Sequence, residues 1–131
     1  MHYYHAIVHK EADSAFGVHF PDVPGCFSAA DTIEDIIPNA VEALSLWFED
    51  ADVPALPSPF EIVQKQAAGD LAEGAFLIMV PRISNDNRVV RANISMERGM
   101  LDAVDAAAAR RKVTRSAFLA DAARAVIEGR L

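Results

Sequence analysis

At 131 residues the chain is one ordinary domain or two small ones, and 52% hydrophobic against 24% charged residues excludes an intrinsically disordered protein. A single cysteine, Cys26, excludes an internal disulfide and a Cys-based zinc site, and no apolar run approaches the ~18 residues of a membrane helix. The 12 Lys/Arg and 19 Asp/Glu leave a net charge of −7, and the N-terminus lacks a basic segment followed by an apolar one, so a soluble cytoplasmic protein is expected.

Tyr3 to Lys10 is β-branched and aromatic and predicts a strand; Glu11–Ser14 is a polar turn, and Ala15 to Phe20 predicts the second strand of a hairpin. Pro21-Asp22-Val23-Pro24-Gly25 ends that strand in a tight turn, and Cys26 to Ala29 predicts a brief third strand. Thr32 and Asp35 then approximate a capping box, with Asp where Glu or Gln is usual. Ile33, Ile36, Ile37, Ala40, Val41, Leu44 and Trp47 follow at helical spacing, as one apolar stripe through about residue 50. Pro38 lies beyond the first turn and removes a backbone hydrogen bond, which predicts a kink. Asp52 to Phe60 holds three prolines and is expected to be an extended loop. Ala75 to Val80 predicts a buried strand closed by Pro81, and residues 82–87, polar from Ser84 onward, form a linker.

The remaining residues follow a different pattern. From Val90 to Met96 apolar and polar residues alternate, with Val90, Ala92, Ile94 and Met96 on one side and Arg91, Asn93 and Ser95 on the other. Leu101, Val104 and Ala108 mark a helix through Arg111. Thr114 is a good N-cap for a second helix with Phe118, Leu119, Ala122, Val126 and Ile127 on its apolar face.

Charge divides at the same place. Residues 88–131 hold nine Lys/Arg against five Asp/Glu, a net of +4, whereas residues 1–87 hold three against fourteen, a net of −11. A segment of that size buries too little surface to fold alone, and a lone strand leaves its backbone groups unpaired. Pairing with the same strand of a second copy solves both problems. It creates an antiparallel ribbon with Arg91, Asn93 and Ser95 of each chain on one face, a width that fits the DNA major groove. Arg suits guanine O6 and N7, and Asn suits adenine. At the second helix Thr114, Arg115 and Ser116 are placed to hold a phosphate oxygen, beside Arg110, Arg111 and Lys112.

On these residues, and on the turn Val113-Thr114-Arg115-Ser116-Ala117-Phe118-Leu119, residues 88–128 resemble the ribbon-helix-helix family of DNA-binding proteins. Lys112 departs from that family, which often has Gly or Asn there to end the first helix with positive φ. The first half, through Phe20-Pro21-Asp22-Val23-Pro24-Gly25-Cys26 and Asp31-Thr32-Ile33-Glu34-Asp35, resembles HicB-type antitoxins, well over about residues 3–50 and loosely over 51–81. Pro38, and Ala29-Ala30 where a Gly is common, depart from that family.

The resemblance implies an α+β protein. Its N-terminal body (1–81) is a partial ribonuclease-H-like fold of order β-β-β-α-β without catalytic power, and its C-terminal ribbon-helix-helix domain (88–131) is β-α-α. It implies an antitoxin that neutralises a small basic, mRNA-cleaving HicA-like toxin through the acidic body and represses its own operon by binding operator DNA. The expected assembly is a homodimer through the ribbon, or a tetramer if the body also pairs, with no cofactor.

Four other readings compete with this one. Asp13, Asp22, Asp31, Glu34 and Asp35 lie in turns or at a helix start rather than in strand interiors, which argues against a metal-dependent nuclease. His5 and His9 share a strand face with Tyr3 and Ile7, and His19 is on the next strand, but a metal site needs another converging ligand that the sequence does not supply. A stand-alone regulator whose body binds a small ligand or only oligomerises is the main alternative. An RNA-binding module is weaker, because no aromatic residues alternate with the basic ones as stacking platforms.

Overall fold

In a computed structural model that describes residues 1–51, 55–84 and 86–130, the chain forms two compact units, residues 1–85 and 86–131. The first unit is built on a four-stranded sheet. β1 (Tyr3–Lys10) is followed by β2 (Phe16–His19), β3 (Phe27–Ala30), and, after three helices, β4 (Phe76–Pro81). The spatial order is β3-β2-β1-β4 and every pair is antiparallel. The hairpin turn closes with Asp13 at φ 62° and the Ser14 amide donating to the Glu11 carbonyl.

β1 is central and its register sorts the two faces. Ile7 faces His19 and Leu77, His9 faces Gly17, and Tyr4 faces Val80. Tyr4, Ala6 and Val8 point into the main core with Val18, Phe20 and Val80, where α1 (Ile33–Glu49) covers them with Ile36, Ala40, Val41 and Leu44. The helix forms because its apolar residues recur every three to four positions. Trp47 and Ile37 pack at its margin. Ile33, expected in the stripe, is 70% exposed at the first position of the helix. α1 runs unbroken through Pro38.

Thr32 is the N-cap residue but does not form the reciprocal capping box. Its hydroxyl donates instead to the Asp35 carboxylate at 3.0 Å. Asp, one methylene shorter than Glu, does not make the reach back to the Thr32 amide on which the box depends.

The opposite face of the sheet is covered as well, and the sequence did not predict this. α2 (Phe60–Gln66) and α3 (Ala68–Ala72) follow the proline-rich segment, so the order is β-β-β-α-α-α-β rather than β-β-β-α-β. Phe60 packs on His5 with ring centroids 5.6 Å apart, which places α2 over the odd-numbered side chains of β1. Ile7, Val63 and Ala67 are buried outside the main cluster. Of the expected extended loop, residues 52–54 lie outside the described residues, and 55–59 have no regular structure before α2 begins at Phe60. Pro59 at its N-cap, Glu61 in its first turn and Gly74 just past α3 (φ 100°) are helix signals in retrospect.

The Pro-Asp turn has a further structural task. The Asp22 carboxylate accepts from the Ser58 amide at 2.7 Å and from its hydroxyl at 2.6 Å, and Trp47 Nε1 donates to the Pro24 carbonyl at 3.1 Å. One turn therefore holds both α1 and the segment leading into α2. β4 is an edge strand, so only its end, Val80 and Pro81, is buried and the strand is not the fully buried one expected. Proline at the end of an edge strand breaks no ladder bond.

Leu44 is fully buried against the sheet, so Leu44→Ala should lower the unfolding free energy by about 3 kcal/mol. Ile33→Ala should change it by less than about 0.5 kcal/mol. Urea denaturation of both variants checks the contrast, and equal losses would refute the assigned face of α1.

Candidate nucleic-acid interface and histidine cluster

The second unit contains α4 (Arg98–Arg110) and α5 (Arg115–Ile127), preceded by a segment without regular structure within the chain. The predicted strand at 90–96 thus has no ladder partner among the described residues. Its apolar residues are uncovered, with Val89 98%, Val90 80% and Ile94 66% exposed. Arg91, Asn93 and Ser95 are exposed too. A single copy does not separate the two sides, because nothing in the chain covers the apolar one.

Val104 and Ala108 of α4 are buried, as expected of its stripe. No residue of α5 itself is buried; Phe118, Leu119, Ala122 and Ile127 are half-buried, and Val126, expected on the apolar face, is exposed. Two helices alone cannot enclose that face.

Between residues 89–94 and the start of α5 lies an open cavity of about 680 Å³, lined by Val90, Asn93, Ile94, Arg115, Ser116 and Leu119 among others. It brings Asn93 together with Arg115 and Ser116. Arg91 and Ser95 are not part of that lining. Thr114 caps α5, its hydroxyl oxygen accepting from the Ala117 amide at 3.1 Å. The Arg115 and Ser116 amides fall in the first turn, where helix geometry provides no partner four residues back. Arg115's side chain is already engaged: it clasps Asp105 of α4 with bonds of 2.8 and 2.9 Å. Hydrogen bonding from Arg115, then its charge, holds the Asp105 carboxyl below the usual carboxylate range. Arg115 is therefore part of a clasp between the helices as well as of the cap region, a role that the sequence did not indicate.

The turn between the helices resolves the departure at Lys112. Lys112 adopts φ 57°. Its amide bonds to the Ala109 carbonyl and the Val113 amide to the Ala108 carbonyl, a Schellman closure. α5 ends the same way around Gly129 at φ 71°. The backbone that glycine normally adopts is thus present with a lysine in it, at a cost of roughly 1–2 kcal/mol.

On the first unit, one group has metal-ligand chemistry among the described residues: His9, His19 and Asp70. His9 and His19 are diagonal neighbours on β1 and β2, and their ring centroids are 5.2 Å apart with planes 14° from parallel. Asp70 reaches them from α3, with its Oδ1 3.6 Å from His9 Nε2. It is the further converging ligand that the sequence lacked, and it was missed because α3 was missed. Cys26 is buried and free; burial pushes its thiol pKa up to about 11, so it stays protonated at neutral pH.

A family model described as a HicB-like antitoxin of bacterial toxin–antitoxin systems matches residues 4–123. Among solved structures, the antitoxin HicB of Burkholderia pseudomallei is 34% identical, with 98% of both chains covered and a TM-score of 0.51. A chain of a HicA3–HicB3 toxin–antitoxin complex is 28% identical over 62% of this chain and 98% of its own, with a TM-score of 0.52. A UPF0150 protein of Synechocystis is 34% identical over 58 residues, which is 44% of this chain and 73% of that protein. An uncharacterised protein of Haemophilus phage HP1 is 45% identical over 40 residues; the match spans 30% of that protein's length.

Lys112→Gly should stabilise the chain by about 0.5–1 kcal/mol, as the gain at positive φ exceeds the added freedom of the unfolded chain. Thermal melts at one fixed protein concentration measure this, and an unchanged or lower midpoint would count against a left-handed Lys112.

Proposed function

Because this chain belongs to the HicB-like antitoxin family of bacterial toxin–antitoxin systems, we propose that it neutralises a small basic HicA-like toxin through residues 1–81 and represses its own operon through residues 88–131. The observation that carries this division of labour is the coincidence of charge with structure. The change from a net of −11 to +4 at residue 88 falls beside the boundary between units 1–85 and 86–131. An acidic body complements a basic partner in sign, and this speeds encounter and disfavours wrong partners. The HicA3–HicB3 complex, in which a similar chain occurs with a toxin, supports a partner of that kind. Neutralisation on this reading is by sequestration of the toxin's working surface and not by chemistry.

The basic unit is a ribbon-helix-helix domain completed by a second copy. Residues 90–96 of two chains pair, their apolar sides (Val90, Ala92, Ile94 and Met96) close over the helices, and Arg91, Asn93 and Ser95 face the DNA major groove. The exposure of Val90 and Ile94 in the single chain supports this pairing, since an apolar strand face left in water loses the stabilisation of burial. Phosphate anchoring falls on the Arg115 and Ser116 amides and the Ser116 hydroxyl. Thr114 is used as the cap, and the Arg115 side chain is held by Asp105. The homodimer is the minimum assembly.

Two experiments test the two halves. Full-length protein used as bait in native cells should recover a small basic protein in stoichiometric amount; an empty bait from cells expressing the chain would reject the antitoxin half. Arg91→Ala combined with Asn93→Ala should weaken binding to the operator by roughly 100-fold while leaving weak binding to unrelated duplex largely in place. Wild-type affinity should fall with salt at a log–log slope of about −0.9 per phosphate neutralised. Sequence-specific affinity that survives the double change would remove the ribbon as the reader.

A further inference from the structure

His9 and His19 project from adjacent strands toward the face of the sheet on which α3 brings Asp70. One ligand atom from each lies within 4.8 Å of the other two. The 3.6 Å between His9 Nε2 and Asp70 Oδ1 is too long for a good hydrogen bond. It is close to the edge, roughly 3.4 Å, of a ligand tetrahedron around an ion at about 2.0–2.1 Å. The spacing of the rings agrees, and their near-parallel planes, 14° apart, must turn about χ2 to bring one ion into both. Two imidazoles bound through nitrogen to one tetrahedral ion keep their centroids roughly 5 Å apart, and these two are 5.2 Å apart. Opposite His9 in the ladder stands Gly17, where an added Cβ would meet nothing within 4 Å, so the flank of the cluster has room for a further ligand.

We propose that His9, His19 and Asp70 bind one Zn²⁺ ion. An ion pair accounts for His9 and Asp70, whereas a shared ion accounts for all three side chains. Two imidazoles and one carboxylate suit a borderline transition-metal ion, while Mg²⁺ and Ca²⁺ prefer all-oxygen sites. The ion fastens the five-residue helix α3 to two strands of the sheet. Three protein ligands leave a fourth position for water or for a donor from a partner. The site is independent of the antitoxin assignment, and it is tested without toxin or DNA.

The experiment uses full-length protein without an affinity tag, stripped with a chelator and titrated with Zn²⁺ by calorimetry. Co²⁺ is titrated in parallel, with its visible absorption reporting tetrahedral geometry. The expected result is one ion per chain, with the melting midpoint raised by roughly 10 °C when Zn²⁺ is in hundredfold excess over its dissociation constant. His19→Ala and Asp70→Asn should each weaken binding by at least about tenfold while circular dichroism confirms a retained fold, and His2→Ala should not. Absence of binding with Zn²⁺ in large excess would overturn the proposal. So would stoichiometric binding that both ligand variants leave unchanged, since the ion would then lie elsewhere.

Discussion

The first unit depends on the burial of its central strand from both sides. Ala6 and Val8 face α1 while Ile7, between them, faces the other way and is equally buried, so β1 presents no wet side over its middle. A strand in that position needs a cover on each face of the sheet. α1 supplies one with a long apolar stripe, and α2 and α3 supply the other with far fewer apolar residues. The Pro-Asp turn links the two covers, since Asp22 ties down the segment before α2 and Trp47 of α1 bonds to Pro24. The same two-sided demand brings Asp70 to His9 and His19, so the candidate ion site is a by-product of how the sheet is closed.

The second unit has the opposite condition, a surplus of uncovered apolar surface. Helices α4 and α5 hold together through Val104, Ala108 and the Arg115–Asp105 clasp, but neither encloses the other. The irregular segment before them leaves Val90 and Ile94 in water. Hydrophobic burial and strand pairing both remain to be satisfied, and a second copy satisfies them together. Incompleteness of the monomer is thus tied directly to the proposed way of reading DNA, because the pairing that closes the core also assembles the reading face.

Arg115 and Lys112 show how far local rules carry. Both lie in the basic turn, and charge alone assigns them to a polyanion. In the folded chain Arg115's guanidinium is already committed to Asp105, a residue ten positions away that no local pattern pairs with it. Lys112 adopts the backbone that glycine would adopt more cheaply, with its two Schellman bonds intact. The turn geometry follows from the hydrogen bonds that the helix end requires, and residue preference only sets its cost.

From the sequence alone followed the α+β class, the three N-terminal strands, α1, the helical pair α4–α5 with its Thr114 cap, and the reversal of charge at residue 88. All of these are local: a period of two or 3.6 residues, a cap or a count of charges can be read without knowing what lies across the fold. Tertiary structure decided the rest. α2 and α3 are short; α2 meets β1, more than fifty residues earlier, through Phe60 on His5, and α3 has no buried residue, so periodicity carries little signal for them. The exposure of Ile33 and Val126, the edge position of β4, the Asp22–Ser58 latch and the meeting of His9, His19 and Asp70 likewise depend on partners far away in sequence. Such contacts are set by which faces remain to be covered once the local elements have formed, and that is a property of the whole packing.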